Sequence, residues 1–223
     1  MKREIIITND GSASIHLPEW NESYHSKHGA IQEAKHVFIK NGLDLFQNEE
    51  AIAIMEIGLG TGLNAFITLL EANKRQQHIH YTGIEAYPVS LDEIEQLNYA
   101  MQLEEPEMQH LFLKMHQSQW EKPFIASDYF SITKRKQFFE EITLENQFDL
   151  IYFDAFGFRV QPELWSEIIF KKMFAALKNK GILVTYACRT SIKNAMKDSG
   201  FEVEKLPGAP GKREMLRGKK NIL

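Results

Sequence analysis

Cysteine is almost absent from this sequence, and long apolar runs are missing altogether. Cys188 is the single cysteine among 223 residues, which excludes an intramolecular disulfide framework and a cysteine-rich metal site. No apolar run approaches the roughly 20 residues that cross a bilayer, and the run at Ile5–Ile7 is too short for the core of a secretory signal. We therefore expect a cytoplasmic protein that needs neither a membrane nor a metal.

Positive charge is scarce in most of the chain and concentrated near its end. Residues 1–170 contain 13 Lys/Arg against 26 Asp/Glu, a net charge of −13, whereas residues 171–223 contain 13 against 4, a net charge of +9. These sum to −4, so the protein is not a globally basic nucleic-acid binder. A local basic patch is enough to bind a phosphate backbone through counterion release. The division is compatible with an RNA partner and equally with a solvated face of uneven charge.

Strand and helix patterns alternate from residue 50 onward, which predicts a mostly parallel sheet covered by helices on both faces. The strands predicted for its parallel part are Ala51–Ile57, His80–Glu85, Phe148–Asp154 and Ile182–Tyr186. Two further strands, Phe201–Leu206 and Glu214–Arg217, have only a Pro/Gly-rich turn between them and predict an antiparallel hairpin. The predicted class is α/β, with an antiparallel last strand that a plain dinucleotide-binding fold lacks.

The length of the chain allows one ordinary α/β domain and little more. We predict a single domain over residues 1–223, with a core over residues 51–223. Residues 1–50 form a predicted extension, a hairpin followed by a helix from about Gly29 to Phe46. This extension is expected to act as a lid over the carboxyl edge of the sheet.

Several helix boundaries can be read from capping residues. Ser90–Glu93 has the form of a capping box, Pro162 suits the first turn of a helix that ends near Leu177, and Thr190 is a candidate cap for the next helix. Residues 104–145 are harder to read, with a possible strand at Tyr129–Thr133.

The strongest local motif is the glycine loop Glu56-Ile57-Gly58-Leu59-Gly60-Thr61-Gly62, which follows an apolar strand and precedes a helix of about residues 62–74. Glycines there allow a nucleotide-like ligand to approach the backbone and the helix N–H groups. The spacing is G-x-G-x-G, Leu63 stands where a dinucleotide fingerprint needs its third glycine, and an acid precedes the first glycine. This form is typical of S-adenosylmethionine sites, although a tight turn without a ligand remains open.

Two acids are predicted at the ends of strands beside this loop. Glu85 ends the next strand, where a carboxylate can accept the two ribose hydroxyls of an adenosine. Asp154 ends the third strand, and the carboxyl ends of such strands face the ligand crevice. Asp154 could orient or deprotonate a nucleophilic amine, or it could only bond to the following turn.

These residues resemble a known family, the tRNA 5-aminomethyl-2-thiouridine methyltransferases, which occur alone as the MnmD type and as the methyltransferase half of bifunctional MnmC. The similarity runs from about Asp10 to Arg217. The matching residues are Asp10-Gly11, Tyr24-His25-Ser26, Gly29, Glu33, Val37-Phe38-Ile39, Glu56 to Asn64, Glu85, Pro88, Asp154-Ala155-Phe156, Pro162 to Trp165 and Thr185-Tyr186. The most specific match is the tail, Gly208 to Arg217, which resembles the family signature G-x-P-G-K-R-E-M.

The resemblance implies a Rossmann-like class I methyltransferase fold. The implied reaction transfers a methyl group from S-adenosylmethionine to the 5-aminomethyl amine of wobble (2-thio)uridine in the tRNA anticodon region, without a metal. It implies that Asp154 is catalytic. The implied cofactor-binding residues are Glu56, Gly58, Gly60, Thr61, Gly62, Asn64 and Glu85. The implied substrate-binding residues are Tyr24, His25, Phe156, Arg189, Lys212, Arg213 and Arg217, of which the bases would hold anticodon phosphates.

Two features depart from the family pattern. The family usually has a proline soon after its D-x-F motif, where this chain has Gly157-Phe158-Arg159. Many members also have a Gly-Asp pair that contacts the adenine, and residues 134–140 contain none.

Three other functions compete with this one. An aminopropyltransferase of the spermidine-synthase type shares the sheet and the glycine loop, but it would need an acidic diamine pocket and no basic tail. A non-catalytic RNA-binding module would not need Glu56, Glu85 and Asp154. An NAD-dependent oxidoreductase is disfavoured by Leu63.

Overall fold

The computed structural model describes residues 2–221. The strands are β1 Glu4–Ile7, β2 Ala13–Leu17, β3 Glu22–Ser23, β4 Ala51–Ile57, β5 His78–Glu85, β6 Pro123–Ser127, β7 Phe130–Lys136, β8 Phe148–Phe153, β9 Leu177–Thr185, β10 Glu202–Pro207 and β11 Glu214–Lys219. The α-helices are α1 Ala30–Ala34, α2 Leu63–Arg75, α3 Leu91–Ile94, α4 Tyr99–Gln102, α5 Gln109–Gln117, α6 Glu167–Ala176 and α7 Thr190–Asp198. A π-helical segment, Lys35–Lys40, continues α1, and short 3₁₀ turns cover Leu43–Phe46, Pro106–Met108, Phe139–Glu141 and Pro162–Trp165.

The main sheet has eight strands in the order β10-β11-β9-β8-β4-β5-β7-β6. Strand β4 pairs in parallel with β5 and β8, and the parallel pairing continues to β7 on one side and to β9 on the other. Strand β11 is antiparallel to both of its neighbours. The predicted α/β fold with an antiparallel last strand is therefore confirmed.

The central strands are apolar because both faces of the sheet are covered. Ile54 of β4 and Leu150 of β8 are fully buried in one core cluster, which lies under α2 and α5. Met55 and Ile151 are fully buried in a second cluster, together with side chains of α6 and α7. Successive residues of one strand thus enter the cores on opposite faces of the sheet.

The register of the three central strands fixes the position of the predicted site. Ile57 at the end of β4 is paired with Ile84 of β5 and with Phe153 of β8. The residues that follow these strand ends must therefore meet at one edge. The strands that follow β4 in sequence lie on both sides of it, first β5 and β7 on one side and then β8 and β9 on the other. This edge is therefore the topological switch point where α/β sheets bind ligands.

The first 50 residues form a layer of their own on this edge. Strands β1, β2 and β3 make a small antiparallel sheet, and Asn98 fixes its first hairpin by accepting the Ala13 N–H at 2.7 Å and donating to the Gly11 carbonyl at 2.9 Å. The predicted hairpin is confirmed. The helix predicted over about residues 29–46 is divided into α1, the π-helical segment and a 3₁₀ turn.

Three predicted boundaries near the second half of the sheet were wrong. Pro162 begins a 3₁₀ turn, and the α-helix starts only at Glu167 and ends at Ala176. Strand β9 begins directly at Leu177 instead of Ile182. Its pairing with β8 shifts register between Leu177 and Ile182, so the polar residues between them lie in the irregular part of the strand. Thr190 is the first residue of α7, and the cap position belongs to Arg189.

Elsewhere the local predictions agree with the structure. Ser90 and Glu93 form the capping box, with the Ser90 N–H donating to Glu93 at 2.9 Å. The strand predicted at Tyr129–Thr133 is present as β7, but the antiparallel β6 beside it was missed. Strand β6 has partly exposed residues throughout, so it carries no clear apolar alternation.

Candidate active site

The glycine loop between β4 and α2 approaches the end of β8 very closely. Gly58, Gly60 and Gly62 all have left-handed φ angles, of 86°, 51° and 73°, which favour glycine. A Cβ atom at Gly58 would lie 2.6 Å from the carbonyl oxygen of Asp154. Only glycine therefore allows the loop to lie against the strand end that carries the candidate catalytic acid.

Glu85 connects the glycine loop to the end of β5. Its carboxylate accepts the Gly60 N–H at 2.9 Å through Oε2 and the Tyr87 N–H at 2.8 Å through Oε1. Each carboxylate oxygen has a second lone pair, and Glu85 lines the main cavity. The position suits a carboxylate that accepts hydroxyl groups of a ligand, as predicted.

Asn64 on the first turn of α2 links two carboxyl groups. Its Nδ2 donates to Glu56 Oε1 and to Asp154 Oδ2, both at 2.8 Å, and Tyr81 donates its hydroxyl to the other oxygen of Glu56 at 2.8 Å. Burial raises the pKa of Glu56 well above its ordinary value. Glu56 is completely buried and does not line the cavity, so it reaches the site only through Asn64.

Asp154 lines the cavity directly and has an unusual electrostatic environment. Burial and the nearby charge of Glu33 raise the pKa of Asp154 to about 7, against the opposing effects of the Asn64 hydrogen bond and the Lys212 charge. A carboxyl group with this pKa is partly ionised at neutral pH. It can both accept and release a proton there.

Aromatic rings form one wall of the cavity beside the glycine loop. Tyr24 meets Phe156 edge to face, with ring centroids 4.9 Å apart, and Trp20 meets the other side of Phe156 at 5.7 Å. The Tyr24 ring also lies against Gly60, where a Cβ atom would be 3.0 Å from it. Burial raises the pKa of the Tyr24 hydroxyl to about 12, so this wall is uncharged at neutral pH.

His25 and Thr61 belong to a hydrogen-bonded group behind this wall. His25 bonds to Ser14 Oγ at 3.0 Å and to Thr61 Oγ1 at 3.3 Å, and Tyr99 donates its hydroxyl to Thr61 at 2.9 Å. Burial lowers the pKa of His25 to about 4, so the imidazole is neutral at pH 7. Both residues line the cavity, while Gly62, which was also predicted to bind cofactor, does not.

Lys212 was expected to hold an anticodon phosphate, but its charge is already paired within the protein. Its ammonium group pairs with Glu33 and lies 4.0 Å from the centre of the Tyr186 ring. Tyr186 donates its hydroxyl to the Ala155 carbonyl at 2.8 Å, which places this ring beside Asp154. Lys212 therefore lines the cavity, because the tail hairpin folds back over the first helix.

The other three predicted substrate-binding bases do not line the cavity. Arg213 is exposed on the turn between β10 and β11. Arg217 pairs with Glu204 at 2.5 Å within the hairpin, so it is not free to bind a phosphate. Arg189 lies over the ring of Phe158 at 4.8 Å.

Sequence reasoning gave no function to three residues of the cavity wall. Trp20, Glu33 and Tyr186 line it, although the family resemblance includes Glu33 and Tyr186. Trp20 lies in the turn between β2 and β3, where nothing in its local pattern distinguishes it from a core aromatic. Trp20 contacts Phe156 and Glu33 contacts Lys212 across more than a hundred residues of chain, and Tyr186 reaches Ala155 across 31, so no local motif reports these contacts.

These walls enclose one large cavity at the carboxyl edge of β4, β5 and β8. Its volume is about 1230 Å³, above the roughly 300–1,000 Å³ of a pocket for one drug-sized ligand. It therefore has room for a nucleoside cofactor together with a second group. Within residues 2–221, no cluster of three or more His, Cys, Asp and Glu side chains could hold a metal ion, and no helix is long and apolar enough to cross a membrane.

Comparison with known proteins gives matches in both sequence and structure. A family model described as an S-adenosyl-L-methionine-dependent methyltransferase matches residues 129–221. The tRNA 5-methylaminomethyl-2-thiouridine biosynthesis bifunctional protein MnmC of Leptospira interrogans is 28% identical, over 90% of this chain and 33% of that protein. MnmC of Polaromonas naphthalenivorans is also 28% identical, over 98% and 36%. This chain thus spans about a third of the length of these curated relatives.

Two solved structures share the fold over almost the whole chain. MNMC2 from Aquifex aeolicus has a TM-score of 0.81 at 20% identity and covers 100% of this chain and 73% of its own. Spermidine synthase from Thermotoga maritima has a TM-score of 0.60 at 13% identity, with coverage of 99% and 70%.

The sheet order, with the glycine loop at its switch point, is the fold shared with MNMC2, and the model of S-adenosyl-L-methionine-dependent methyltransferases matches residues 129–221, less than half of the chain. In sequence the chain is similar to the MnmC relatives over 90% or more of its length.

Proposed function

We propose that this chain methylates the amine of a 5-aminomethyl group on the wobble uridine, or 2-thiouridine, of tRNA. The observation that carries the proposal is Asp154, a partly buried carboxyl group whose pKa is raised to about 7, on the wall of a cavity large enough for two ligands. The name of the MnmC relatives, which refers to 5-methylaminomethyl-2-thiouridine, supports this substrate. In this proposal residues 1–223 act as one domain, with residues 1–50 covering the cavity of the core.

Residues along the cavity fit S-adenosylmethionine. We assign the contact with the adenosine ribose to the free lone pairs of Glu85. Gly58 and Gly60 let the cofactor approach the backbone of the loop. Asn64 Oδ1 is buried without a hydrogen-bond partner among the described residues, and it is an acceptor suited to an ammonium group. Three further residues support this site: Glu56 holds Asn64, Thr61 holds the cavity wall through His25, and Gly62 precedes the first residue of α2. When bound, the cofactor supplies an electrophilic methyl group on a sulfonium.

Asp154 is suited to the proton that the amine must lose. A primary alkylamine has a pKa near 10, so most of it is protonated at neutral pH and cannot attack a methyl group. Transfer of its proton to an ordinary Asp is unfavourable by about 6 pK units, but transfer to a carboxylate of pKa about 7 only by about 3. Asp154 therefore holds the ammonium as a charge partner and accepts its proton, while the fixed geometry orients the lone pair.

The aromatic wall is suited to a nucleobase. Uridine taken out of a stack presents flat faces that aromatic side chains recognise. We assign this contact to Tyr24 and Phe156, with His25 holding the wall from behind. The wall begins beside Asp154, since Phe156 is only two residues further along the chain.

An aminopropyltransferase function is disfavoured by the pairing of Glu33 with a lysine on the cavity wall. The fold is shared with spermidine synthase, but a diamine substrate carries two positive charges and needs unpaired acids. Here Glu33 is already paired with Lys212, whose ammonium group lies inside the same cavity. Lys212 thus removes Glu33 as a partner for the second ammonium group of a diamine.

Asp154→Asn tests the proposal because it removes the base and keeps the size of the side chain. We expect methyl transfer to tRNA to fall by about 10²-fold or more, while calorimetry shows nearly unchanged affinity for S-adenosylmethionine. Gly60→Val is the opposite case: its Cβ would meet the Tyr24 ring at a left-handed φ, and we expect it to abolish cofactor binding.

Two results would contradict this function. Asp154→Asn with wild-type turnover at saturating tRNA would reduce Asp154 to a turn residue. Aminopropyl transfer from decarboxylated S-adenosylmethionine to a diamine, without methyl transfer to tRNA that carries the aminomethyl group, would assign the cavity to the competing reaction.

A further inference from the structure

The first helix and the tail hairpin lie side by side along the outside of the cavity. Three contacts join them: Glu33 with Lys212, His36 Nε2 donating to the Pro207 carbonyl at 2.8 Å, and Arg217 Nη1 donating to the Asn41 carbonyl at 3.3 Å. The exposed His28 also packs on the tail, because a Cβ atom at Gly211 would lie 2.4 Å from its ring. We call the surface made by residues 24–41 and 204–217 the basic seam.

The basic seam is positively charged within a negatively charged protein. Residues 24–41 contain three lysines against one Glu, a net +2, and residues 204–217 contain four bases against two acids, a further +2. The seam therefore carries +4, and the rest of the chain, with a total of −4, carries −8. The linear charge pattern missed half of the seam, since residues 24–41 lie in the acidic part of the sequence.

The acids of the seam are already neutralised, and its free cations face outward. Glu33, Glu204 and Glu214 pair with Lys212, Arg217 and Lys205, respectively. Among the described residues, no carboxylate is paired with the four remaining cations, and all four are exposed: Lys27, Lys35, Lys40 and Arg213.

The π-helical segment brings two of these lysines to the same side. Its i→i+5 hydrogen bonds widen the turn, so residues five apart are near neighbours, whereas in an α-helix they point in different directions. Lys35 and Lys40 are both exposed, and the intervening Val37, Phe38 and Ile39 are buried. The wider turn thus presents two ammonium groups to solvent without exposing the apolar residues between them.

We propose that Lys27, Lys35, Lys40 and Arg213 bind the phosphate backbone of RNA along the basic seam. Lys27 lies at the mouth of the cavity, so a strand held along the seam enters the site at this end. The inference rests on the proposed function for the identity of the partner, and it replaces Lys212 and Arg217, whose charges are paired with Glu33 and Glu204. A row of separated cations, not a compact pocket, matches the regular charge of a nucleic-acid backbone.

The test uses Lys35→Gln combined with Lys40→Gln in the full chain. Fluorescence anisotropy with an unmodified anticodon stem-loop RNA, at several salt concentrations, measures how steeply affinity falls with salt. Each lost phosphate contact lowers this slope by about 0.7–0.9, so we expect the double variant to bind more weakly and with a slope lower by about 1.5. Arg213→Gln added to it should lower the slope by a further 0.7–0.9, roughly.

The matched control is Lys114→Gln combined with Lys122→Gln, an equal change of charge on exposed residues near β6, at the opposite edge of the sheet. This variant should keep the wild-type slope. An unchanged slope in the seam variant, an equal loss in the control, or wild-type protein without salt-dependent RNA binding overturns the inference. The RNA in this test carries no aminomethyl group, so the measurement reports binding alone. If methyl transfer to modified tRNA failed in its own assay, the binding result would still stand.

Discussion

At the scale of single residues, the site is a set of charges balanced around Asp154. Asn64 and Lys212 favour the carboxylate, while burial and Glu33 favour the protonated form. The outcome near pH 7 depends on all of these, so no single neighbour defines the base. Changing one of the two charged neighbours should move the pKa of Asp154 in a direction that the structure fixes.

We predict that Glu33→Gln moves the acidic limb of the pH profile of kcat/KM to lower pH. The ionised form of Asp154 is the base, so activity rises with pH as Asp154 loses its proton, about pH 7 in the wild type. Removing the negative charge of Glu33 stabilises the carboxylate and lowers its pKa. It also leaves the Lys212 charge unpaired, which acts in the same direction.

The converse variant provides the control for this profile. Lys212→Met removes a positive charge that lowers the pKa of Asp154, so its limb should move to higher pH. The amine of the substrate is the same in all three proteins and cannot produce opposite shifts. If the acidic limb lies at the same pH in both variants, Asp154 does not govern the pH profile.

At the scale of elements, the 3₁₀ turn before α6 supports the aromatic wall. Trp165 at its end is buried, and its Nε1 donates to the Phe156 carbonyl at 2.8 Å. Its ring also packs on Phe153 of β8, with centroids 5.1 Å apart. Trp165 is therefore a core residue that also fixes the backbone of a cavity residue.

We predict that Trp165→Phe lowers the free energy of unfolding by about 2 kcal/mol, from a lost buried hydrogen bond and a small cavity. Because the Phe156 carbonyl loses its donor, KM for tRNA should rise as well. Denaturant unfolding and steady-state kinetics measure the two effects. Phe170→Leu, in the same core cluster, should reduce stability without the change in KM; a rise in KM in both variants would count against a specific role for Trp165.

At the scale of the whole molecule, the N-terminal layer is held to the core at a few defined points. Arg3 on the approach to β1 pairs with Glu93 of α3 at 3.1 Å and donates to the carbonyl of Tyr87 at 3.2 Å. Glu93 also completes the capping box of α3. The covering layer and the loop after Glu85 are therefore joined next to the cavity.

We predict that Arg3→Gln loosens this layer without unfolding the core. The ion pair is only partly buried, so its loss should cost about 1 kcal/mol or less, and hydrogen exchange of amides in β1 and β2 should become faster while those in β4 stay protected. Lys2→Gln, which breaks an exposed ion pair with Glu4, is the control and should change neither. Equal protection of β1 in all three proteins would mean that other contacts hold the layer.

Local sequence patterns were enough to predict the parallel strands of the sheet and the acids at its switch point. Periodic apolar strands, the G-x-G-x-G spacing and the acids at strand ends are local features, and parallel pairing brings the strand ends together without further information. Gly58, Glu85 and Asp154 could be placed at one edge for this reason. The boundaries of β9 and the missed β6 show the limit of this approach, since both depend on pairing with neighbouring strands and not on their own apolar pattern.

Which charges are free and which are paired depends on the folded arrangement of the chain. Lys212 and Arg213 are adjacent in the sequence, yet the first is paired inside the cavity and the second is exposed on a turn. Glu56 belongs to the motif, yet it is buried behind Asn64. The physical reason is that pairing and desolvation depend on distances of a few ångströms between segments far apart in the chain, and the spacing of residues along the sequence contains no such distance.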